Sequence, residues 1–188
     1  MRVFIAIDIS KEAKKEIEKK LYKFLEKKHW SVKWEKPEKL HLTLVFLGNI
    51  DNNLLPLIKT ICKKAVKKLK PFIVSFKGLG CFPNYDLPGV IWLGLKGDLQ
   101  HLALIQKRIE TSLIKENFKI DTRVFSAHIT LGRIRNCHFK ERKEIGRQLR
   151  GLKIYNLKSK IEINKIIIYE SRLSAKESIY YKLETIKF

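Results

Sequence analysis

The chain predicts an α+β fold built on a mostly antiparallel sheet, and three observations lead there. Strand-like and helix-like segments alternate from one end to the other. No Gly/Ser linker or low-complexity tract interrupts them, so residues 1–188 read as a single unit without a domain boundary. One tetrapeptide, His followed by an apolar residue, Thr and Leu, occurs twice, at 41–44 and 128–131. That separation is too long for a short solenoid repeat and fits one copy per half of a pseudo-symmetric protein.

The elements follow in order. RVFIAIDI (2–9) reads as a buried strand, and Ser10 then caps a helix whose apolar positions Ala13, Ile17, Leu21 and Leu25 recur every four residues. LHLTLVFLG (40–48) is a strand that alternates into a glycine stop. Asp51 opens a second helix, with Leu54, Ile58, Ile61, Ala65 and Leu69 along one side. FIVSFKGLG (72–80) and VIWLGL (90–95) are strands around a loop bearing Pro and Asn, and Asp98 caps a helix carrying Leu102, Ile105, Ile109 and Leu113. A strand is expected over 124–134, a short basic helix over 139–150 ended by Gly151, and strands over 161–170 and 178–186.

A length of 188 residues suits one compact domain or two small lobes sharing a core, and 45% hydrophobic and 10% aromatic content argue against disorder. The 40 Lys and Arg against 19 Asp and Glu leave a net charge of +21, which favours a polyanionic partner through counterion release and long-range attraction. A solvated Lys-rich surface is the competing explanation; runs such as Lys63-Lys64 and Lys67-Lys68 fit it. Three cysteines (Cys62, Cys81, Cys137) without a Cys-x-x-Cys pair speak against a disulfide framework or a zinc knuckle. The apolar run Val3–Ile9, with Asp8 inside it, is too short for a signal-peptide core or a bilayer span, so a soluble, cytoplasmic chain with no membrane partner is expected.

The repeated tetrapeptide carries the chemistry. With six threonines in the chain, two of five histidines each meeting Thr two places on, and Leu after that, is a pattern beyond accident. Alternate side chains of a strand project to opposite faces, so His41 and Thr43 stand together while Leu42 and Leu44 enter a core; His128 and Thr130 stand likewise against Ile129 and Leu131. An imidazole gives or takes a proton near neutral pH, and a threonine hydroxyl donates to a phosphate oxygen. Two such pairs facing across a cleft supply acid, base and two phosphate anchors without a metal. A metal site is not expected, because Glu38 is the one acidic residue within four positions of either motif.

Other candidates are weaker. His29, His101 and His138 lack a Thr two residues on and read as surface or structural. Arg133, five residues after His128, is a candidate third phosphate contact, although strict alternation puts it on the opposite face unless Gly132 hosts a bulge. Phe46, Trp92 and Tyr169 read as core rather than as stacking platforms.

The motifs and their flanks resemble the two-histidine phosphoesterase superfamily, and within it the RNA 2′,3′-cyclic phosphodiesterase family, also called 2′-5′ RNA ligase. RVFIAIDIS, WEKPEKLHLTLVFLGNI, GLGCFP with VIWLGL, FSAHITLGRIR and IIIYESRLSAKESIYYKL carry the resemblance over almost the whole length. It implies two lobes, each an antiparallel sheet backed by helices, with a cleft between them and one motif per lobe. It further implies His41 as proton donor, His128 as proton acceptor, and Thr43, Thr130 and Arg133 as substrate-binding residues. No metal or cofactor is implied; the substrate is RNA ending in a 2′,3′-cyclic phosphate, tRNA fragments among the candidates, acted on by a monomer. Water as nucleophile gives a 2′-phosphate, and an RNA 5′-hydroxyl gives a 2′-5′ linkage. Two other readings stand beside it: a non-catalytic RNA-binding module, with KGLGCF (77–82) faintly like an RNA-recognition-motif strand, and a phosphodiesterase for a small cyclic nucleotide or ADP-ribose cyclic phosphate.

Overall fold

The computed structural model describes residues 1–152, 157–174 and 177–188. The strands are β1 (Arg2–Asp8), β2 (Val32–Trp34), β3 (His41–Asn49), β4 (Phe72–Phe82), β5 (Val90–Gly97), β6 (His128–Ile134), β7 (Lys160–Ile163), β8 (Lys165–Leu173) and β9 (Ser178–Lys187). They form one curled antiparallel sheet in the order β7-β4-β5-β6-β3-β1-β8-β9, with β2 added alongside β6. The α+β fold with an antiparallel sheet in two halves is therefore as the sequence predicts. The halves are β7-β4-β5-β6 and β3-β1-β8-β9, and they meet where β3 pairs with β6.

The halves are not sequential. Residues 72–163 supply all of one half, and the chain then returns, through β8 and β9, to the outer edge of β1. The single strand expected over 161–170 is accordingly two strands: β7 pairs with β4, β8 pairs with β1, and Asn164 separates them. Burial explains why the sequence pattern runs on unbroken. Ile161 and Ile163 face the main core, and Ile166 and Ile168 do the same, while Ile167 packs on the opposite face with Phe4, Ala6 and Tyr169. The strand expected from 124 begins only at His128, and Val124 is almost fully exposed.

The first helix is α1 (Lys11–Glu16), which continues through a π-helical stretch, Ile17–Tyr22, into α2 (Lys23–Glu26). Ser10 Oγ accepts a hydrogen bond from the Ala13 N–H at 3.1 Å, the expected cap. α3 (Leu55–Val66) starts after a 3₁₀ turn over Asn52–Leu54, so Asp51 makes no side-chain cap and Leu69 lies beyond the helix end. α4 (Leu99–Lys115) is capped by Asp98, which accepts from the His101 N–H at 3.2 Å, and α5 (Phe139–Gly151) follows β6.

The helices bury their apolar stripes against one face of the sheet. Ile17, Leu25, Ile58, Leu102, Ile105 and Ile109 join Ile5, Leu42, Ile91, Leu93, Ile129 and Leu131 in one core, all almost fully buried. Each such side chain contributes roughly 1.5–3 kcal/mol relative to exposure. With one face occupied, the other remains open, and both His-x-Thr motifs project from it.

Candidate active site

The two motifs meet at the centre of the sheet. Leu42 of β3 pairs with Ile129 of β6, antiparallel. His41 and Thr43 flank Leu42, and His128 and Thr130 flank Ile129, so all four side chains project beside this one pair on the face opposite the core. Side chains flanking such a pair on neighbouring strands lie within about 7–8 Å of each other, and His41 lies close enough for the His128 charge to act on it. The arrangement has an approximate two-fold axis through the Leu42–Ile129 pair. Leu42, Leu44, Ile129 and Leu131 are buried and the His and Thr side chains half-buried, so the expected alternation holds.

Both imidazoles are oriented in the same way. Nδ1 of His41 lies 2.7 Å from the Lys39 carbonyl oxygen, and Nδ1 of His128 lies 2.6 Å from that of Ser126. A carbonyl only accepts, so each Nδ1 carries the proton and each Nε2 is left as the working nitrogen. Aromatic rings hold the imidazoles from the sides. Phe4 and Tyr180 lie 5.0 and 5.4 Å from His41, and Phe82 and Trp92 lie 5.0 and 6.1 Å from His128. Burial among these rings lowers both histidine pKa values below the ordinary imidazole value, opposed by the carbonyl hydrogen bonds.

The surroundings break the symmetry. Asp8 is the β1 register partner of His41, and its carboxylate favours the imidazolium there, while Lys14 and His128 disfavour it. Asp8 itself is held by Lys14 at 2.7 Å and Lys182 at 3.0 Å. Among the described residues, no carboxylate contributes in the same way at His128.

Each motif is followed by a bulge. In the β1–β3 pair the register passes from Ala6↔Thr43 to Ile5↔Val45, leaving Leu44 extra; in the β5–β6 pair it passes from Trp92↔Thr130 to Ile91↔Gly132, leaving Leu131 extra. One added residue flips the face of everything beyond it. Arg133 is thereby turned onto the histidine face, paired with Val90 and exposed, the outcome that a bulge near Gly132 makes possible. By the same shift Phe46 faces the site and is 55% exposed, which corrects its reading as core. Trp92 is half-buried on the site face, lying on Gly80, where a Cβ would come within 2.2 Å of the indole ring. Tyr169 is buried as expected, in the small cluster beneath His41.

The bulge frees the Leu131 carbonyl from the ladder. The Tyr22 hydroxyl donates to it at 3.0 Å and the Glu35 N–H at 2.7 Å. The π-helical stretch thus delivers a phenol to the bulge that aims Arg133. Tyr22→Phe removes one donor from a buried acceptor, with an expected loss of about 1 kcal/mol in urea unfolding. An unchanged midpoint would show that the hydroxyl carries no share of the bulge's stability.

A groove of about 640 Å³ opens beside His41, bounded by Phe4, Phe46, Tyr180, Arg2, Arg133 and Arg135 among others. The site residues expected from sequence, His41, Thr43, His128, Thr130 and Arg133, therefore share one face. His29, His101 and His138 lie elsewhere: after α2, in α4 bonded to Asp98, and before α5. Sequence reasoning placed Phe46 in the core and did not find the role of Asp8 or the groove. Phe46 is five residues after His41 as Arg133 is after His128, so the repeat itself held that signal. Among the described residues no three His, Cys, Asp or Glu side chains cluster as a metal site.

A strand-borne pair of His-x-Thr motifs on the open face of a two-half antiparallel sheet defines the class, a phosphoesterase with a repeated architecture. The chain belongs to the LigT-like phosphoesterase family, whose profile matches residues 7–92 and 93–180. An RNA 2′,3′-cyclic phosphodiesterase of Archaeoglobus fulgidus is 36% identical over 137 residues, 72% of this chain and 73% of that protein. One of Methanocaldococcus jannaschii is 31% identical over 180 residues, 96% of each. Among solved structures, TT0787 of Thermus thermophilus superposes with a TM-score of 0.73 at 22% identity, covering 100% of this chain and 97% of that one. E. coli LigT in its apo form superposes with 0.75 at 19% identity, covering 99% and 96%. These two likenesses speak for the fold. No helix among the described residues is long and apolar enough to cross a membrane.

Proposed function

We propose that the chain opens 2′,3′-cyclic phosphate ends of RNA to 2′-phosphates by two-histidine acid/base catalysis without a metal, as one bilobal unit with a motif in each lobe. The observation that carries the reading is the juxtaposition of two Nε2-presenting histidines, on paired strands and on one open face. The names of the relatives, RNA 2′,3′-cyclic phosphodiesterases, and the +21 charge support RNA as substrate.

The Thr43 and Thr130 hydroxyls donate to the non-bridging phosphate oxygens, and Arg133 adds a cationic contact. His128 Nε2 takes a proton from water as its oxygen attacks phosphorus in line with O3′. The P–O3′ bond breaks, and His41 Nε2 gives its proton to O3′, leaving a 2′-phosphate and a 3′-hydroxyl. Asp8 beside His41 supports the donor role, since it favours the protonated ring. Phe46, exposed on this face, offers a stacking surface for the terminal base. With an RNA 5′-hydroxyl replacing water, the same residues form a 2′-5′ linkage, for which the ring phosphate itself serves as the activated group.

The test is an RNA ending in 2′,3′-cyclic phosphate, incubated with the protein in excess EDTA. The expected product is the 2′-phosphate at an undiminished rate. A 3′-phosphate product, or a reaction abolished by chelation, rejects the scheme.

A further inference from the structure

We infer that the groove beside His41 seats the nucleotides on the 5′ side of the cyclic phosphate and makes the enzyme selective for oligonucleotides over cyclic mononucleotides. The inference rests on the phosphodiesterase reading above. In-line displacement places the leaving O3′, and with it the nucleoside and the rest of the RNA, on the side of phosphorus facing the proton donor. The water and its base occupy the other side. The groove lies on the donor's side: Phe4 and Tyr180, which pack against the His41 ring, form its inner wall. On the His128 side the neighbours are instead the rings of Phe82 and Trp92.

The groove's chemistry suits a phosphodiester chain. Arg2 and Arg133, from the two halves of the sheet, line the groove together with Tyr180, whose hydroxyl lies in the fields of Glu35, Arg133 and Arg2. Arg135, two residues on from Arg133, lines the same groove. Among the described residues, Arg2, Arg133 and Arg135 have no carboxylate within 4 Å. Of the acids that line the groove, Glu177 is held by Lys36 at 3.0 Å and Lys39 at 2.7 Å; Glu35 remains as a single opposing charge. Guanidinium groups bind phosphates in a bidentate manner, and the volume of about 640 Å³ exceeds the need of one small anion. Phe46 stands at the edge between catalytic face and groove, where a terminal base would stack while its 5′ phosphate meets the groove's arginines.

The discriminating experiment measures kcat/KM for adenosine 2′,3′-cyclic phosphate and for a triadenylate ending in 2′,3′-cyclic phosphate, across a salt series. Wild-type protein is compared with Arg2→Ala, Arg135→Ala and the double variant. The wild type is expected to favour the trinucleotide by at least about tenfold at low salt. The double variant is expected to lose on the order of tenfold on the trinucleotide while its mononucleotide rate stays within about twofold. The slope of log kcat/KM against log salt should shrink by about 0.7 for each contact removed. Equal loss on both substrates, or no loss on either, overturns the inference and leaves the phosphodiesterase reading standing. Failure of the wild type to turn over either substrate ends both.

Discussion

His128→Ala is expected to lower kcat/KM on cyclic phosphate ends by ~10²–10⁴-fold, and His41→Ala by a similar factor, because each ring carries one proton transfer in a single displacement. The double variant should fall little below the singles, since neither transfer helps without the other. The pH profile separates the two roles. Catalysis needs His128 neutral and His41 charged, and burial lowers both pKa values in the free protein. The kcat/KM profile should therefore be a narrow bell centred below 6.5, the ordinary imidazole value. Its acid limb is the deprotonation of His128, and its alkaline limb the loss of the His41 proton. Bound anionic phosphate stabilises the imidazolium, so the alkaline limb of kcat should lie at higher pH than that of kcat/KM. The residual activity of His128→Ala should lack the acid limb, and that of His41→Ala the alkaline one. The reverse pairing would exchange donor and acceptor.

Gly146→Ala is expected to destabilise the fold by about 2–3 kcal/mol, read as a lower urea midpoint. In a solvated helix the same change stabilises by roughly 0.5–1 kcal/mol, so the sign is the test. Gly146 lies in the middle of α5 against the loop between β4 and β5, where a Cβ would stand 1.8 Å from the Tyr85 carbonyl oxygen and 2.8 Å from its carbon. Both are backbone atoms and cannot rotate aside. Relief requires α5 or the loop to move, and the loop continues from Phe82, whose ring packs on His128. A stabilised or unchanged variant would show that α5 does not seat against this loop.

The strands that carry the site were legible because one face of each is buried: Leu42 with Leu44 and Ile129 with Leu131 alternate against half-buried His and Thr. The helix stripes were legible for the same reason. Period-two reasoning flagged one of its own interruptions, near Gly132, and missed the one at Leu44. The bulges at Leu44 and Leu131 leave ordinary apolar residues in an apolar run, yet they decide that Phe46 and Arg133 face the site. The break at Asn164 was masked because β8 is covered on both faces, so Ile166, Ile167 and Ile168 continue the pattern of β7 without a pause. β2 escaped notice because three residues beside β6 are too few to show a period. The shared position of Phe46 and Arg133 could have been read from the repeat, five places after each histidine.

The nesting of one half of the sheet inside the other bears on how the chain acquires its shape during synthesis. Residues 72–163 are contiguous; β4 pairs with β5 and β5 with β6, β6 also meets β2 and β3, which have already emerged, and β4 waits for β7 at the end of the segment. The outer half stays unfinished until β8 and β9 leave the ribosome, because β1 must wait for a partner made some 160 residues later. Since β7 and β8 are separated by Asn164 alone, both halves await the last strands of the chain, and the earliest strand is among the last to be enclosed.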